Sequence, residues 1–471
     1  MRRTECQAGP AVCRIRYLLA TLCLVISGSA GAAGGNIDAG TSAGQAPRIL
    51  RYVSDLGAFD GRRCFGMVLE AHDGIPQAVC NLGRLDAALC DSVENRGSSP
   101  QQLQLAFAVA DELAARGAAA VSADCRETLP QARLADVVLS PVAITLSQLD
   151  AEQRFIVGIG LNYREHREET GAEDNAGVAV DEVLVFPKFV APTGAYAPVY
   201  TGVKVGSPAA LPVRLLDYEV ELGMLLLEDL DLNDPPGSYA EFIDAVAFFT
   251  ANDVSDREPI ILDSEFGYTR GKSHPTYLPT GPWMIHGRHL QPLAPGEGRE
   301  RLELELLVRE PDRGQLAVTG QQLQDSATDR MILGPWKIVQ TLAARYRQGI
   351  RSCMRDAAGE ARYIHTRDGV IPAGSLILTG TPGGTAIREP GALEKLELFL
   401  RGGLTLSGAR QLLVRDSESL IPESHYLQPG DQVETAITLL GRQRWTVVAD
   451  AARLRYGIDA PGDCRIDPGR E

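Results

Sequence analysis

The chain has 471 residues, of which 44% are hydrophobic and 23% are charged, and its formal net charge is −15. This length and apolar content predict a large globular protein with one principal core and room for a smaller appended domain. The acidic balance argues against nucleic acid and against an anionic membrane surface as partners.

The N-terminal segment has the order of a secretory signal peptide. Arginines precede an apolar stretch at 17–26, and a run of small residues follows as far as Ala33. We therefore expect residues 1–32 to be removed and the mature protein to be exported, to the periplasm or the extracellular medium. The apolar stretch is short for a bilayer span, and an uncleaved membrane anchor is the alternative. Residues 33–48, rich in Gly, Ala and Ser, are predicted to be a flexible lead-in.

The cysteines that follow the predicted signal peptide are even in number, which permits disulfides in an exported protein. They are Cys64, Cys80, Cys90, Cys125, Cys353 and Cys464. The first four cluster, so one or two bridges are expected among them, with buried free thiols as the alternative. The chain has no C-x-x-C pair, which argues against a zinc or thioredoxin-type site.

Residues 49–149 are predicted to form a small α+β domain. Short apolar runs indicate strands at 49–53, 66–71 and 77–81, and a periodic apolar face that ends at a glycine indicates a helix at 100–117.

The pattern becomes strand-rich at 150–455, where many Gly and Pro turns separate short apolar runs. This predicts a mostly antiparallel, barrel-like or multi-sheet architecture. The strands are expected at 155–160, 215–227, 302–308, 376–379 and 433–440, and the clearest helix at 331–345. Two segments read as insertions, at about 346–367 and 390–424, with surface decoration or an oligomer contact as their expected role. Residues 456–471 read as a tail.

Three carboxylates are candidates for a metal site. Glu219 and Glu221 are two residues apart, so on a strand they point to one face, and Asp253 closely follows a second apolar run at 245–250. Converging carboxylates suit Mg²⁺, Mn²⁺ or Ca²⁺, whereas Zn²⁺ prefers His and Cys. A solvated outer strand face is the alternative explanation of the two glutamates.

A second candidate is the pair His166 and Glu169, three residues apart and hence on one helical face. A carboxylate beside an imidazole fixes its tautomer and raises its basicity, as a general base requires. An ordinary surface pair is the alternative.

Lysines and a Gly/Thr loop complete the candidates. Lys272 lies in a Gly-Lys-Ser sequence, but Phe266 stands where a phosphate-binding loop needs glycine, so we reject that loop. A lysine near carboxylates can instead anchor a substrate carboxylate or stabilise developing negative charge. The loop 378–384, with Gly380 and Thr381, can offer N–H groups and hydroxyls to an anionic ligand, or can be a simple turn.

In this order, these clusters resemble the fumarylacetoacetate hydrolase family, over residues 49–450. The motifs that carry the resemblance are GLNYREH (160–166), FPK (186–188), DYEVEL (217–222), ANDVSDRE (251–258), GKS (271–273), TGPW (280–283), LTGTPGG (378–384) and LQPGDQVE (427–434). The resemblance implies an α+β, β-rich fold, with a mixed β-roll or barrel catalytic domain and a small N-terminal α+β domain. It also implies a homodimer and points to the acylpyruvate hydrolase, isomerase and decarboxylase branch.

The resemblance further implies roles for the candidate residues. Glu219, Glu221 and Asp253 would hold Mg²⁺ or Mn²⁺, with Ca²⁺ as a further option. The catalytic set would be His166, Glu169 and Lys272, and the substrate-binding set Lys188, Thr381 and Gly380. Arg257 would support the site structurally.

The implied activity is hydrolysis of a C–C bond in a small 2-oxo or 1,3-diketo acid, through a metal-stabilised enolate, with the His-Glu dyad activating water. The alternatives are an isomerase or decarboxylase of the same family in aromatic catabolism, or an inactive exported binding protein. Neither nucleic acid nor, in the mature form, a membrane is expected as a partner.

Overall fold

A computed structural model describes residues 46–92, 99–117, 125–130, 155–171, 183–202, 213–262, 267–290, 301–310, 320–348, 353–355, 361–363, 369–420 and 425–449. All of them belong to one compact unit, Gly40–Glu471. The predicted signal peptide (1–32), most of the lead-in, the predicted domain boundary at 149 and the predicted tail (456–471) lie outside the described residues.

Strands dominate the described residues. In chain order they are β1 Arg48–Val53, β2 Arg62–His72, β3 Ile75–Asn81, β4 Cys90–Ser92, β5 Arg126–Thr128, β6 Ile156–Gly160, β7 Leu184–Pro187, β8 Thr193–Gly194, β9 Val199–Tyr200, β10 Leu216–Asp217, β11 Val220–Leu226, β12 Leu230–Asp231, β13 Val246–Asn252, β14 Ser255–Asp256, β15 Pro279–His286, β16 Glu303–Arg309, β17 Gly320–Ala327, β18 Cys353–Arg355, β19 Ala361–Tyr363, β20 Val370–Ile371, β21 Leu376–Leu378, β22 Gln432–Ile437 and β23 Gly441–Val448.

The α-helices of the described ranges are short. They are α1 Pro100–Arg116, α2 Arg164–Thr170, α3 Tyr239–Asp244, α4 Arg257–Leu262, α5 Gly267–Lys272, α6 Pro335–Arg347, α7 Ala392–Arg401 and α8 Leu406–Leu420. Single 3₁₀ turns occur at Gly57–Phe59, Leu82–Arg84, Ala87–Leu89, Gly287–His289 and Thr328–Arg330. None of the helices described has the length and apolar character needed to cross a membrane.

The central feature is a twelve-stranded mixed sheet in the order β5-β3-β2-β1-β15-β13-β11-β21-β6-β7, to which β4 and β8 add. Within the described strands, β5 and β7 end this path without pairing with each other, so the main sheet is open and the barrel-like expectation is corrected. A five-stranded sheet, β17-β16-β22-β23-β9, lies beside it. The fold is therefore α+β and β-rich, as expected.

The middle strands of the main sheet are buried on both faces. Every residue of β11 and of β13 is buried. Successive residues of β11 alternate between two hydrophobic clusters: Val220, Leu222 and Met224 enter one, and Leu225 enters the other. Because both faces are covered, these strands read as almost continuous apolar runs, and a charged side chain in them is unusual.

The N-terminal strands join the same sheet as the rest of the chain. Strand β1 pairs antiparallel with β15, and Ile49 lies opposite Met284. Helix α1 begins with a capping box between Ser99 and Gln102 and ends at Gly117, close to its predicted bounds. Its Gln104 side chain donates to the Leu227 carbonyl, 3.0 Å away, so it packs on the main sheet. Whether 49–149 forms a separate domain stays a prediction.

Two disulfides fasten this N-terminal region. Cys64 bonds to Cys90, which joins β2 to β4, and Cys80 bonds to Cys125, which lies next to β5. The expectation of one or two bridges within this cluster is met with two. Cys464 lies outside the described residues.

Most other predicted elements are present with shifted ends. The predicted strand 215–227 is wrong as a single element, because the chain leaves the ladder at Tyr218 and Glu219 and forms β10 and β11 instead. The predicted helix at 331–345 begins four residues later, at Pro335, after a 3₁₀ turn. The segment 390–424, predicted to be an insertion, contains the helical hairpin α7–α8, and the other predicted insertion, 346–367, contains the strand pair β18–β19.

Candidate active site

The antiparallel pairing of β11 with β13 brings the three predicted metal ligands together. Glu221 lies opposite Ala251, and just beyond the ladder the Asp253 N–H donates to the Glu219 carbonyl, 2.8 Å away. Continuing this register, Glu219 lies opposite Asp253, and Glu221 follows two residues later on the same face. One carboxylate oxygen from each of the three lies within 4.8 Å of the others, and all three residues are buried.

The break in the strand is stabilised by a side chain. Asn252 accepts from the Glu219 backbone N–H at 3.2 Å and donates to the Thr435 hydroxyl at 3.1 Å. This amide takes over the hydrogen bond that a regular ladder would supply, because a buried backbone N–H needs a partner.

Three buried cations surround these carboxylates. Lys272, at the end of α5, donates to Glu219 Oε2 at 2.6 Å and to Asp253 Oδ2 at 2.8 Å. Lys188, just after β7, donates to Asp253 and to the Tyr277 carbonyl, the latter at 2.6 Å. An ammonium has three N–H donors, and within the described residues each lysine uses two of them, which leaves one for a further acceptor.

The third cation, Arg257, bridges two acids at the start of α4. Its Nη2 donates to Glu219 Oε1 at 2.5 Å and its Nε donates to Asp217 Oδ2 at 2.7 Å. Asp217 Oδ1 in turn accepts from the Ala386 N–H at 2.7 Å. Arg257 therefore ties the metal-ligand candidate Glu219 to the segment after loop 378–384.

Glu221 is held differently from the other two acids. Its Oε2 accepts from the Gly380 N–H at 2.8 Å. Gly380 has a φ of +96°, and a Cβ there would lie 2.8 Å from the Asn162 Cβ, so only glycine fits. Asn162 fixes this contact by donating to the Thr379 carbonyl at 2.7 Å. The loop therefore positions a carboxylate, and substrate binding by Gly380 stays a prediction.

The electrostatic environment separates the two glutamates. Burial alone would raise the pKa of Glu219, but Lys272 and Arg257 outweigh burial and lower that pKa below its ordinary value. Burial raises the pKa of Glu221 well above its ordinary value, and Asp253 and Glu219 raise it further. Glu221 is thus the acid that lacks a cation of its own.

A count of formal charges also shows that one carboxylate of this network is not matched by a cation. In the described part of the network four carboxylates (Asp217, Glu219, Glu221 and Asp253) face three cations (Lys188, Arg257 and Lys272), which leaves one negative charge. A buried uncompensated charge is costly. An all-oxygen donor set with surplus negative charge fits a hard divalent cation such as Mg²⁺ or Mn²⁺.

The predicted dyad lies next to this cluster. His166 and Glu169 lie on α2, with His166 Nδ1 3.6 Å from Glu169 Oε2, and His166 is near enough to help lower the pKa of Glu219. Glu169 Oε1 accepts from the Gly384 N–H at 2.6 Å and lies 3.4 Å from Arg388 Nη1. The other oxygen, Oε2, has no hydrogen-bond partner among the described residues, and neither has His166 Nδ1.

The side chain of Gln324, on β17, links Thr381 to strand β11. Gln324 Nε2 donates to the Thr381 hydroxyl oxygen at 2.8 Å, and Gln324 Oε1 accepts from the Val220 N–H at 2.9 Å. The Thr381 oxygen accepts this bond, and no acceptor for its proton occurs among the described residues.

The structure thus collects all nine predicted site residues in one region. Sequence reasoning assigned no role to Asp217, Gln324 or Arg388. Asp217 opens the DYEVEL motif, which could have pointed to it. For Gln324 and Arg388 we find no local sequence pattern that indicates a site residue.

Comparison with known proteins finds a matching family model and several relatives of this chain. Residues 155–448 match the family model described as "Fumarylacetoacetate (FAA) hydrolase C-terminal". A protein of Mycobacterium tuberculosis, Rv2993c, is 29% identical over 53% of this chain and 73% of its own length. A 2,4-didehydro-3-deoxy-L-rhamnonate hydrolase of a Sphingomonas species is 24% identical over 68% of this chain and 84% of its own. A fumarylacetoacetate hydrolase structure from Exiguobacterium antarcticum covers 86% of this chain and 100% of its own, at 18% identity and a TM-score of 0.49.

The matched segment spans more than half of the chain and contains every predicted site residue. The open mixed sheet carries a buried cluster of three carboxylates whose oxygens lie close enough together to hold a metal ion. The chain belongs to the fumarylacetoacetate hydrolase family.

Proposed function

We propose that this protein is a divalent-metal-dependent hydrolase that cleaves a C–C bond in a 2-oxo or 1,3-diketo acid of the acylpyruvate type. The observation that carries the proposal is the juxtaposition of the buried triad Glu219, Glu221 and Asp253 with the His166–Glu169 pair. The named hydrolase relative from Sphingomonas supports it.

The triad would hold Mg²⁺ or Mn²⁺, which supplies polarisation of the substrate carbonyl and stabilisation of the enolate charge. With a dication the network changes from one surplus negative charge to one surplus positive charge. That sign favours a monoanionic oxo acid over a neutral ligand. The spare N–H donors of Lys188 and Lys272 and the Thr381 proton are the groups that can bind the substrate carboxylate and carbonyl oxygens.

His166 is the proposed general base. Glu169, fixed through its other oxygen by Gly384, faces Nδ1 and favours the tautomer with the proton there, which leaves Nε2 to take a proton from water. The resulting hydroxide adds to the carbonyl carbon. The C–C bond then breaks, the electron pair passes to the departing enolate, and the enolate carbon finally takes a proton.

Isomerase or decarboxylase chemistry would use the same carboxylates without an attacking water. The carboxylate 3.6 Å from the His166 ring favours hydrolysis, because only hydrolysis requires a water to be deprotonated by a base. Comparing the two reactions on one protein therefore tests the role of the dyad as well as the substrate.

The test is an assay of the mature protein on acylpyruvates, fumarylpyruvate and oxaloacetate, with Mg²⁺, Mn²⁺ or EDTA. We expect metal-dependent hydrolysis that falls by roughly 100-fold or more in His166→Ala. The matched control is His289→Ala. His289 Nε2 lies 2.8 Å from Asp111 Oδ1, and neither residue belongs to the carboxylate cluster. This control should retain activity.

The outcomes separate the alternatives. Turnover of oxaloacetate that survives His166→Ala, with no hydrolysis of the other substrates, would favour a decarboxylase. Metal binding that Glu221→Ala abolishes, with no turnover of any substrate, would refute the hydrolase and favour an inactive binding protein.

We also propose that the protein is exported after cleavage near residue 32. The two disulfides support this, because such bonds persist in oxidising compartments. Mass spectrometry of the N-terminus of protein from fractionated cells tests it, and a full-length chain in the cytoplasmic fraction would refute it.

A further inference from the structure

The helical hairpin α7–α8 has an unusual outer surface. Its five exposed leucines have exposed fractions from 55% to 80% and include most of the large apolar side chains exposed in the described residues. They are Leu393, Leu396, Leu400, Leu404 and Leu406, here called the leucine face. None of them belongs to the candidate active site.

The hairpin is held to the body by its other side. Leu398 and Val414 are buried, and Arg214 donates to the Val414 and Arg415 carbonyls at 3.3 and 3.2 Å. Arg401 of α7 pairs with Asp416 of α8 at 3.0 Å. The leucine face is therefore presented outward by an anchored support.

The spacing of the leucines on α7 is that of a helix-pairing seam. Leu393, Leu396 and Leu400 are separated by three and four residues, as are successive core positions of a coiled coil. Such a stripe lies along one side of a helix and fits a second helix of the same kind.

The leucine face is large enough for a stable contact. With about 180 Å² for a fully exposed leucine, the five expose roughly 600 Å², most of the ~800 Å² that each partner buries in a standard interface. This is the upper end of the ~300–600 Å² that the largest apolar patch of a typical monomer exposes, and such patches are often functional.

The charges beside the leucines favour a second copy over a lipid surface. Helix α7 carries two acidic residues, Glu394 and Glu397, and two basic ones, Lys395 and Arg401. A balanced set can complement itself across a twofold axis. Helices that lie on membranes instead concentrate Lys and Arg on the polar face, and the chain as a whole is acidic.

We propose that the leucine face is a self-association surface, on which α7 of one copy packs against α7 of a second. This surface lies in the segment that is predicted to be an insertion between the family motifs. Its role does not depend on the proposed enzymatic reaction.

The first test is sedimentation of the mature protein across the micromolar range. We expect Leu396→Glu/Leu400→Glu to weaken association by roughly 100-fold, because each copy loses two apolar contacts and gains buried like charges. Leu85→Glu is the matched control, since Leu85 is 51% exposed outside the hairpin. Unchanged circular dichroism will show that the variants are folded.

A second test locates the contact. Leu396 lies in the middle of the stripe, so twofold pairing in either direction brings it near its own copy. Leu396→Cys should therefore form a covalent dimer with a short bismaleimide, while Leu85→Cys and the unmodified chain give only background.

Three outcomes would overturn the proposal. One is a wild-type protein that stays monomeric throughout the range. Another is an assembly that the double variant leaves unchanged, which would place the contact on a different surface. The third is a monomer that binds phosphatidylcholine vesicles through the same leucines, which would make the occupant a lipid surface.

Discussion

Replacing Glu221 by glutamine should stabilise the metal-free protein while abolishing its response to metal. Glu221 shares its site with two other carboxylates, with ligand oxygens within 4.8 Å, and one such pair repels by about 3.5 kcal/mol at an effective dielectric constant near 20. Lys272 offsets part of this repulsion. Glutamine removes the charge and keeps an oxygen to accept from Gly380. We therefore expect a gain of about 2–3 kcal/mol in the free energy of unfolding in EDTA near neutral pH.

The pH dependence of the free energy of unfolding independently indicates that a charged Glu221 destabilises the folded protein. In the folded state the pKa of Glu221 lies above its ordinary value of 4.5. At a pH between 4.5 and this raised pKa, the folded state therefore binds more protons than the unfolded state. Stability therefore falls as the pH rises through that window. The advantage of Glu221→Gln should be absent below about pH 4 and should grow as the pH rises. Metal binding to the wild-type protein should also release protons, which calorimetry in buffers of different ionisation enthalpy measures.

The assay is urea unfolding of wild type and variant, in EDTA and in saturating Mn²⁺. Metal at about 100 times its dissociation constant should stabilise the wild type by about 2.7 kcal/mol and leave Glu221→Gln unaffected. The control is Glu127→Gln. The two carboxylate oxygens of Glu127 accept hydrogen bonds from Tyr52, Ser54 and Asp55, and glutamine has only one oxygen to accept them. It should lose stability in both conditions. A Glu221→Gln protein that is less stable than wild type in EDTA would refute the reasoning.

Three further predictions concern other parts of the network. Lys272→Met should lower the free energy of unfolding by about 3–5 kcal/mol, because Glu219 and Asp253 lose their shared ammonium; an unchanged urea midpoint would contradict this. Reducing the two disulfides, which close loops of 26 and 45 residues, should cost about 3.5–4 kcal/mol each by the chain-entropy argument, measured as a lower melting temperature in dithiothreitol. Arg388→Ala should lower kcat by roughly tenfold and leave the metal dissociation constant unchanged, because Arg388 contacts Glu169 and none of the metal-ligand candidates; weakened metal binding would refute that separation.

The sequence predicted the carboxylate cluster because the relevant information is local. Alternation along a strand places Glu219 and Glu221 on one face, and Asp253 sits where the neighbouring strand ends. The interruption at Tyr218 and Glu219 was missed, because it depends on the hydrogen bond that the Glu219 N–H donates to the side chain of Asn252 in the next strand.

The supporting role of Arg257 was predicted from the family resemblance, but its partners and the roles of Asp217 and Gln324 were not, because the residues that contact one another are distant in the chain. Arg257 reaches Asp217 across 40 residues, and Gln324 reaches Val220 across 104. No helix or strand period relates such positions. The continuity of the N-terminal strands with the main sheet was missed for the same reason, since β1 pairs with β15, more than two hundred residues later.

The network around Glu219 is organised for chemistry at the expense of stability. A buried ion pair seldom outperforms a well-packed apolar pair, because both charges must leave water. Here three cations and four carboxylates are buried together, and their charges still do not balance. A divalent cation at Glu221 would change the surplus from one negative charge to one positive charge, and the site would then attract an anion where it now repels one. Lys188, Arg257 and Lys272 therefore stabilise the acids as a group, while the imbalance they leave at Glu221 favours binding of the metal.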